Sequence, residues 1–523
     1  MMSSQYPIEA IVASLVTLLA LIIFKFRNIG SREPDIPPGP KSTFMLGNAL
    51  DFPTSFPHIK FTQWARQYGE IFSLKVFTRT IIVLSSPSAI KEILDTKSTQ
   101  TSARPYSILV QRATNGSLLA LENPENRIWK HGRKLITSSF LSKDRLPTQL
   151  RAQKLESLHL MHDLLEDPTH VYDHIGRTTL SVLTSLLYGL RITKDGPLHP
   201  KTYFRSVKLL NEGLDPGAHP PVDSFWPLQY VPQQWAYWKR FADSTRTIRD
   251  ELYTSLHARC ELDIKNNTQT GSYIESLILS QQDLKLSRDD IIGLGTMILD
   301  AGVETSSSFL QSLMLSLLAN PIVQSTAQAE IDRTVGPDRL PDIEDFAHTP
   351  YIRALIDEAF RFCSILPVGL PHVATTDISF KRYRIPRDSI IFMNVHGLYH
   401  DPALFDNPET FDPERFIGNE FGTKSDISET ELASFRKTFP FGAGRRICPG
   451  ESLARRTIAL NTMNLLWGFD FQKDSSGTGN YDLDSFSKPG IELSPKPFTC
   501  ISTPRSEAKK QMIKERYAMT FST

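Results

Sequence analysis

The apolar positions of this chain follow three rhythms. Residues 10–24 form an unbroken run, interrupted only by Ser14 and Thr17, with Lys25, Arg27 and Arg32 behind it. About 15 apolar residues fall short of the roughly 20 that cross a hydrocarbon core without thinning or snorkelling. No Lys or Arg precedes the run, which argues against a cleaved signal, and the positive charge behind it leaves the remainder on the cytoplasmic side. The expectation is an N-terminal transmembrane helix within residues 1–27, acting as a single-pass anchor. Pro37-Pro38-Gly39-Pro40 then stiffens the chain and cannot continue a helix, so residues 28–45 read as a basic, proline-rich hinge.

Elsewhere the pattern alternates between a period of 3.6 and a period of 2. Residues 62–69 and 88–94 read as short helices, and residues 71–77, 80–84, 379–385 and 389–394 as strands of small sheets. Residues 102–121 are loop-like. The longest helical stretch starts at Ser287, with Asp290 three residues on as a cap, and runs to Asn320 before Pro321. At 1.5 Å per residue, about 34 residues span roughly 51 Å. The fold class is mainly α with small β-sheets. No repeat or long linker divides residues 46–505, which form one large catalytic domain, and residues 506–523 read as a polar tail.

Composition narrows the function. Fifty-eight basic against fifty-seven acidic residues give a net charge of +1, so there is no electrostatic case for a nucleic-acid partner. The four cysteines, Cys260, Cys363, Cys448 and Cys500, have neither zinc spacing nor a CxxC pair, which suits a reducing compartment. Cys448 stands apart, within Phe441-Gly442-Ala443-Gly444-Arg445-Arg446-Ile447-Cys448-Pro449-Gly450. Glycine turns bring backbone amides close to a ligand, and arginines beside a helix start favour negative charge. A cysteine held there suits the thiolate form that binds a metal.

Three further clusters stand out. Ala301-Gly302-Val303-Glu304-Thr305-Ser306 puts a glycine and hydroxyls inside the long helix, against propensity. Trp129 and Arg133 lie four apart on one helical face. Glu358 and Arg361 lie three apart, with Arg415 further on in Phe411-Asp412-Pro413-Glu414-Arg415-Phe416. Taken alone, the first is a Ser/Thr-rich packing face, the second a stacked pair and the third a surface ion pair.

Together these four motifs resemble the cytochrome P-450 superfamily in its microsomal class, with local wording similar to fungal secondary-metabolite enzymes. The resemblance implies a cytochrome P-450 fold whose long central helix lies over haem b, with Cys448 as the axial iron ligand. It implies that Phe441, Gly444, Arg446 and Gly450 of the cysteine loop, Trp129 and Arg133, Ala301 and Gly302, and His372 contact the cofactor, His372 at a propionate. It assigns Glu304 and Thr305 to proton delivery and oxygen activation, and Glu358, Arg361 and Arg415 to a buried structural triad. Leu118, Val368, Leu370 and Ile491 fall where members of the family contact substrate.

The implied activity is monooxygenation of an apolar small molecule, for instance a polyketide or terpenoid, using dioxygen and two electrons. No GxGxxG fingerprint follows a strand, so electrons come from a partner. The resemblance points to an NADPH-cytochrome P-450 reductase, with cytochrome b5 as a second donor, at the endoplasmic reticulum membrane. The aromatic patch Phe225-Trp226-Pro227-Leu228-Gln229-Tyr230 and Trp235 to Trp238, beside Lys239 and Arg240, suits either a membrane interface or core packing. Two other readings stay open: a haem-thiolate isomerase or dehydratase without oxygen insertion, and a non-catalytic haem-binding protein of the same fold.

Overall fold

A computed structural model of the chain describes residues 11–14, 16–17, 29–194, 196–215, 219–474, 481 and 491–521. The expected anchor lies almost wholly outside these residues. Among the described residues no single helix is long and apolar enough to cross a membrane.

Twelve helices carry the architecture: α1 (Pro57–Tyr68), α2 (Ile108–Thr114), α3 (Arg127–Leu135), α4 (Leu146–Glu166), α5 (Val171–Tyr188), α6 (Pro200–Leu214), α7 (Tyr237–Lys265), α8 (Arg288–Ala319), α9 (Pro321–Thr334), α10 (Pro350–Cys363), α11 (Glu451–Gly468) and α12 (Glu507–Phe521). α8 is the axis. Its start is the expected capping box: the Ser287 hydroxyl accepts from the Asp290 amide at 3.1 Å, and the Asp290 carboxylate accepts from the Ser287 amide at 2.8 Å. Its end is set by Pro321, where α9 turns away by 107°. Between these points most of α8 is buried, and from Ser306 to Leu318 it is buried on every side, as an all-round apolar core helix must be. It lies along α5, where Gly302 permits the approach: a Cβ there would sit 2.5 Å from Leu183 Cδ1. Leu310, Leu313, Met314 and Leu317 continue into a core shared with α4, α10 and α11.

The main sheet has the order β1-β2-β6-β3, from β1 (Ile71–Val76), β2 (Arg79–Leu84), β3 (His372–Val373) and β6 (Ile390–Met393). β1 and β2 form an antiparallel hairpin, β2 and β6 are parallel with Val83 opposite Phe392, and β3 runs antiparallel with His372 opposite Ile391. Phe72, Leu74, Ile81 and Val83 face Phe61 and Trp64 of α1, while Ile71, Ile82 and Leu84 face Ile90 and Ile93. Burial on both faces explains why these strands read as nearly continuous apolar runs. Two hairpins complete the β structure: β4 (Ile378–Phe380) with β5 (Tyr383–Ile385), and β7 (Phe469–Lys473) with β8 (Cys500–Pro504).

Three expectations change. The segment 102–121 is not only loop: it holds α2, capped by the Ser107 hydroxyl and closed by Asn115 in a left-handed conformation. The described part of the hinge is fastened down, with Arg32 donating to Gly39 O at 2.8 Å and Pro40 O at 2.6 Å, and Arg384 pairing with Glu33 and Asp35. The polar tail is a docked helix. Ile513, Tyr517 and Phe521 recur at i, i+4 and i+8, and Ile513 is fully buried against the α4 core. Arg505 and Lys509 both reach Asp332, at 2.6 and 3.0 Å, and the Arg191 guanidinium lies 4.2 Å from the centre of the Phe521 ring. The tail's polar majority masked a stripe only one residue wide.

Over the cavity side of α8, α2 and α6 pack together under α7. The α2–α7 contact joins a buried apolar cluster, Leu109 and Ala113 with Trp238, Phe241 and Ala242, to a half-exposed ion pair in which Arg112 Nε and Nη2 donate to the Asp243 carboxylate at 2.6 and 2.8 Å. In the aromatic patch Phe225, Tyr230, Trp235 and Tyr237 are exposed, and Trp238 is buried.

Candidate active site

The cysteine loop closes on itself before α11 begins. The Cys448 amide donates to Phe441 O at 2.8 Å, and the Arg446 amide to Ala443 O at 3.2 Å. Cys448 is accessible from a cavity of about 390 Å³ that lies between this loop and α8. Burial pushes its thiol pKa up, while the Gly450 and Glu451 amides and the Arg133 charge act the other way. Cys260, Cys363 and Cys500 are buried, with thiols pushed up to about 12 by desolvation, so they are inert packing groups.

Three arginines converge on the same cavity. Arg446 donates to Ser102 O at 2.7 Å and Glu122 O at 2.6 Å, and its guanidinium lies 4.1 Å from the centre of the Trp129 ring. Arg133 donates to Ile447 O, tying α3 to the cysteine loop. Arg104 donates to Leu370 O at 2.7 Å and Pro371 O at 2.6 Å. None of the three is ion-paired among the described residues, and Arg104 Nε and Arg446 Nη1 are buried without a partner. Burial lowers all three, and repulsion from neighbouring arginines adds to it at two of them: Arg104 falls well below its usual range and Arg446 to about 10, while Arg133 is lowered by burial alone. His372 lies among them, with Nδ1 2.7 Å from Thr101 O, and burial and the Arg104 charge keep it neutral. A cluster of desolvated cations with free N–H groups lacks only a dianion, and the two propionates of a haem supply that charge. The donor set therefore fits haem, and Cys448 is the residue that would bind its iron.

On the opposite wall, α8 contributes Ala301, Gly302, Glu304, Thr305 and Phe309. The Thr305 hydroxyl donates to Ala301 O at 2.7 Å, which leaves its oxygen free to accept from the cavity. Glu304 accepts from Asn211 Nδ2 of α6 at 2.8 Å. Burial, with the charge of Asp300 one turn away, raises the Glu304 carboxyl to about 7. Asp300 is itself satisfied by Arg249 Nη2 at 2.6 Å and by the Tyr253 hydroxyl.

The triad is complete, with Glu358 and Arg361 fully buried and Arg415 partly so. Arg361 Nε and Nη2 donate to Glu358 at 2.7 and 2.8 Å, and Arg415 Nε lies 3.1 Å from the same carboxylate. Arg361 also donates to Tyr399 O and Pro408 O at 2.8 Å and to Thr410 O at 3.1 Å, so all its donors are used.

Of the residues expected at the site, Trp129, Arg133, Ala301, Gly302, Glu304, Thr305, His372, Phe441, Arg446, Cys448 and Gly450 all border the cavity, as do Leu118, Leu370 and Ile491. Gly490, beside Ile491, lies outside the described residues. Two expectations are corrected. Val368 does not reach the cavity but packs with Phe61, Phe72 and Trp64, so Ile365, Leu366 and Gly369 line that stretch instead. Gly444 does not face the cofactor side. Its amide donates to Asp95 at 2.7 Å, its φ is +57°, and a Cβ would meet Leu94 O at 1.9 Å, so glycine serves close packing there. Arg104 and Asn211 were not anticipated, because single residues outside any periodic or spaced pattern carry no signal of convergence, whereas Glu492 adjoins Ile491 in the turn expected to contact substrate.

The sequence pattern of the cytochrome P450 family matches residues 37–500. The cytochrome P450 monooxygenase ple5B of Rhodocybe pseudopiperita is 36% identical over 508 residues, covering 95% of each chain. The cytochrome P450 monooxygenase atE of Aspergillus terreus is 33% identical over 524 residues, covering 98% of this chain and 95% of its own. A zebra fish cytochrome P450 solved with abiraterone superposes with a TM-score of 0.68 at 26% identity, covering 86% of this chain and 100% of its own. A lone accessible cysteine facing α8 inside a collar of unpaired arginines, on a scaffold shared along its whole length with these proteins, makes this chain a member of the cytochrome P450 family and a haem-dependent monooxygenase.

Proposed function

We propose that this protein oxidises an apolar small molecule of fungal secondary metabolism, of polyketide or terpenoid type, with electrons from an NADPH-dependent reductase. The observation that carries the reading is Cys448, open to a largely apolar cavity and flanked by Arg104, Arg133 and Arg446 without acid partners. Haem, held there, supplies the chemistry that places one oxygen atom of dioxygen in the substrate. The chain's own residues do the rest. Cys448, as thiolate, binds the iron, while the three arginines and Trp129 hold the propionate edge and His372 fills the space between them. Glu304 holds a proton at its carboxyl, and Asn211 fixes that carboxyl toward the cavity wall. Thr305 accepts a hydrogen bond from that side. Leu118, Leu183, Leu370 and Ile491 exclude water and receive the substrate.

A reductase suits the outer face of α3. Lys130 and Lys134 are exposed there while Trp129 and Arg133 face inward, and Arg445 is exposed on the neighbouring loop. An acidic partner would be steered to that face, and cytochrome b5 would fit it equally. The apolar run at residues 10–24 and the exposed Phe225, Trp235 and Tyr237 support attachment to the endoplasmic reticulum membrane, catalytic domain in the cytoplasm.

Cys448→Ala tests the assignment. The reduced carbon-monoxide adduct of the purified protein should lose the long-wavelength Soret band that marks a thiolate ligand. Retention of that band would overturn the ligand assignment. Product formation with a reductase and NADPH in a panel of polyketides and terpenoids tests the substrate class, and turnover without either electron source refutes it.

A further inference from the structure

We infer that Glu492 holds an uncharged oxygen function of the substrate, a hydroxyl or a carbonyl, against the wall of the cavity that Glu304 also lines. This rests on the cavity being the substrate site of a monooxygenase. Glu492 borders the same cavity as Cys448 and Thr305, in a lining otherwise supplied by residues such as Leu118, Leu183, Leu210, Phe309, Ile365 and Ile491. The nearby Ser308 hydroxyl of α8 favours the charged form of its carboxyl, against burial. Its Oε1 is sealed from solvent and finds no hydrogen-bond partner among the described residues. Native structures seldom leave a buried carboxyl oxygen unpaired unless a ligand or water completes it.

The surroundings set which ligand. No Lys or Arg pairs with Glu492 among the described residues. Glu304 is its nearest acidic neighbour, Asp300 beyond it is already neutralised by Arg249 and Tyr253, and the Tyr172 phenol feels both glutamates. Burial first, and the Glu304 charge second, drive the Glu492 carboxyl well above its usual range, which favours the carboxylic acid with one donor and one acceptor. An acid in this state has no use for a cation. It complements a hydroxyl, which can give and receive, or a carbonyl, which takes the proton. A site built to bond such a group discriminates against the analogue that lacks it.

The test uses the full-length, haem-loaded protein and four probes of one chain length: decane, 1-decanol, 2-decanone and decyltrimethylammonium. The carbon-monoxide spectrum is recorded first, and loss of the thiolate band at that stage sinks the monooxygenase reading itself, separately from the binding result. Probe binding is then followed by the shift of the Soret band. Water-to-cavity transfer alone favours decane, so a preference for the oxygenated probes requires a polar partner. The expected result is 1-decanol or 2-decanone binding about tenfold or more tighter than decane, with the ammonium probe no tighter than decane. Glu492→Leu should reduce that ratio to about twofold or less, and Glu492→Gln should keep most of it because the amide retains a donor and an acceptor. Equal binding of decane and the oxygenated probes in the wild type overturns the inference. So does an unchanged ratio in Glu492→Leu, or tightest binding of the ammonium probe.

Discussion

Arg361→Met is the most demanding single perturbation of this fold that leaves the cavity lining untouched. Methionine roughly preserves the volume of the arginine stem, so the effect reports charge and hydrogen bonding rather than a cavity. The Glu358 carboxylate would keep only the Asp412 amide at 2.7 Å and Arg415 at 3.1 Å, and would lose both of its shorter charged bonds. The backbone carbonyls of Tyr399 and Pro408 would lose the Arg361 donor in the same step, and Thr410 O would keep only Arg415 Nη2 at 3.3 Å. Breaking a buried ion pair by removing one partner costs about 3–5 kcal/mol. That is two to four powers of ten in the folded population, a large part of the stability of a typical domain. The assay is urea denaturation of the holoenzyme, followed by the carbon-monoxide thiolate band and by far-ultraviolet circular dichroism. The double variant Glu358→Leu with Arg361→Met should be less destabilised than the sum of the two singles by about 1–3 kcal/mol, since neither member of the Glu358–Arg361 pair is left without the other. A loss below about 1 kcal/mol in Arg361→Met, or simple additivity in the double variant, would refute the buried-triad account.

Glu304 makes a signed pH prediction. Its carboxyl rises from 4.5 to about 7 in the folded protein, so the folded state binds that proton more tightly than the unfolded state. Stability should therefore fall as pH rises from about 4.5 to about 7 and be flat above, and Glu304→Gln should remove that slope in a series of urea midpoints. With Glu304 as the proton holder, product per NADPH should also decline as pH rises through about 7 and become pH-independent in this limb in Glu304→Gln. Arg104→Leu should weaken haem retention by about tenfold or more, read as transfer to apomyoglobin, because a buried N–H donor facing the propionate edge is lost. Transfer at the wild-type rate would exclude Arg104 from the cofactor site.

The parts of this molecule legible in the sequence are those whose physics is local. The Ser287 capping box, Pro321 and the spacing of glycines around Cys448 each act within a few residues, and the structure repeats them almost to the position. Glu358 and Arg361 were legible only together with Arg415, since an i,i+3 ion pair looks the same on a surface as in a core. Long-range placement was not legible. Arg104 earns its place through Leu370 O and Pro371 O, 266 and 267 residues away, and no local pattern announces that meeting. Val368 and Leu370 lie two apart, yet one belongs to the sheet core and the other to the cavity, because the turn at Gly369 adopts a φ of +60°. The α12 helix was hidden by composition, its apolar stripe being outnumbered by lysines and glutamates.

The Arg112–Asp243 bridge gives the cover of the cavity a weakness its floor lacks. α5 and α8 are locked by close packing and the cysteine loop by buried donors, neither of which dissolved ions reach. The cover is held to α7 by the apolar cluster around Trp238 and Phe241 and also by two partly wetted charges, and the Debye length shrinks to about 8 Å at 0.15 M salt. Rising ionic strength should loosen this latch and quicken both capture of ligand and escape of product, while the spectrum of the bound prosthetic group stays as it was.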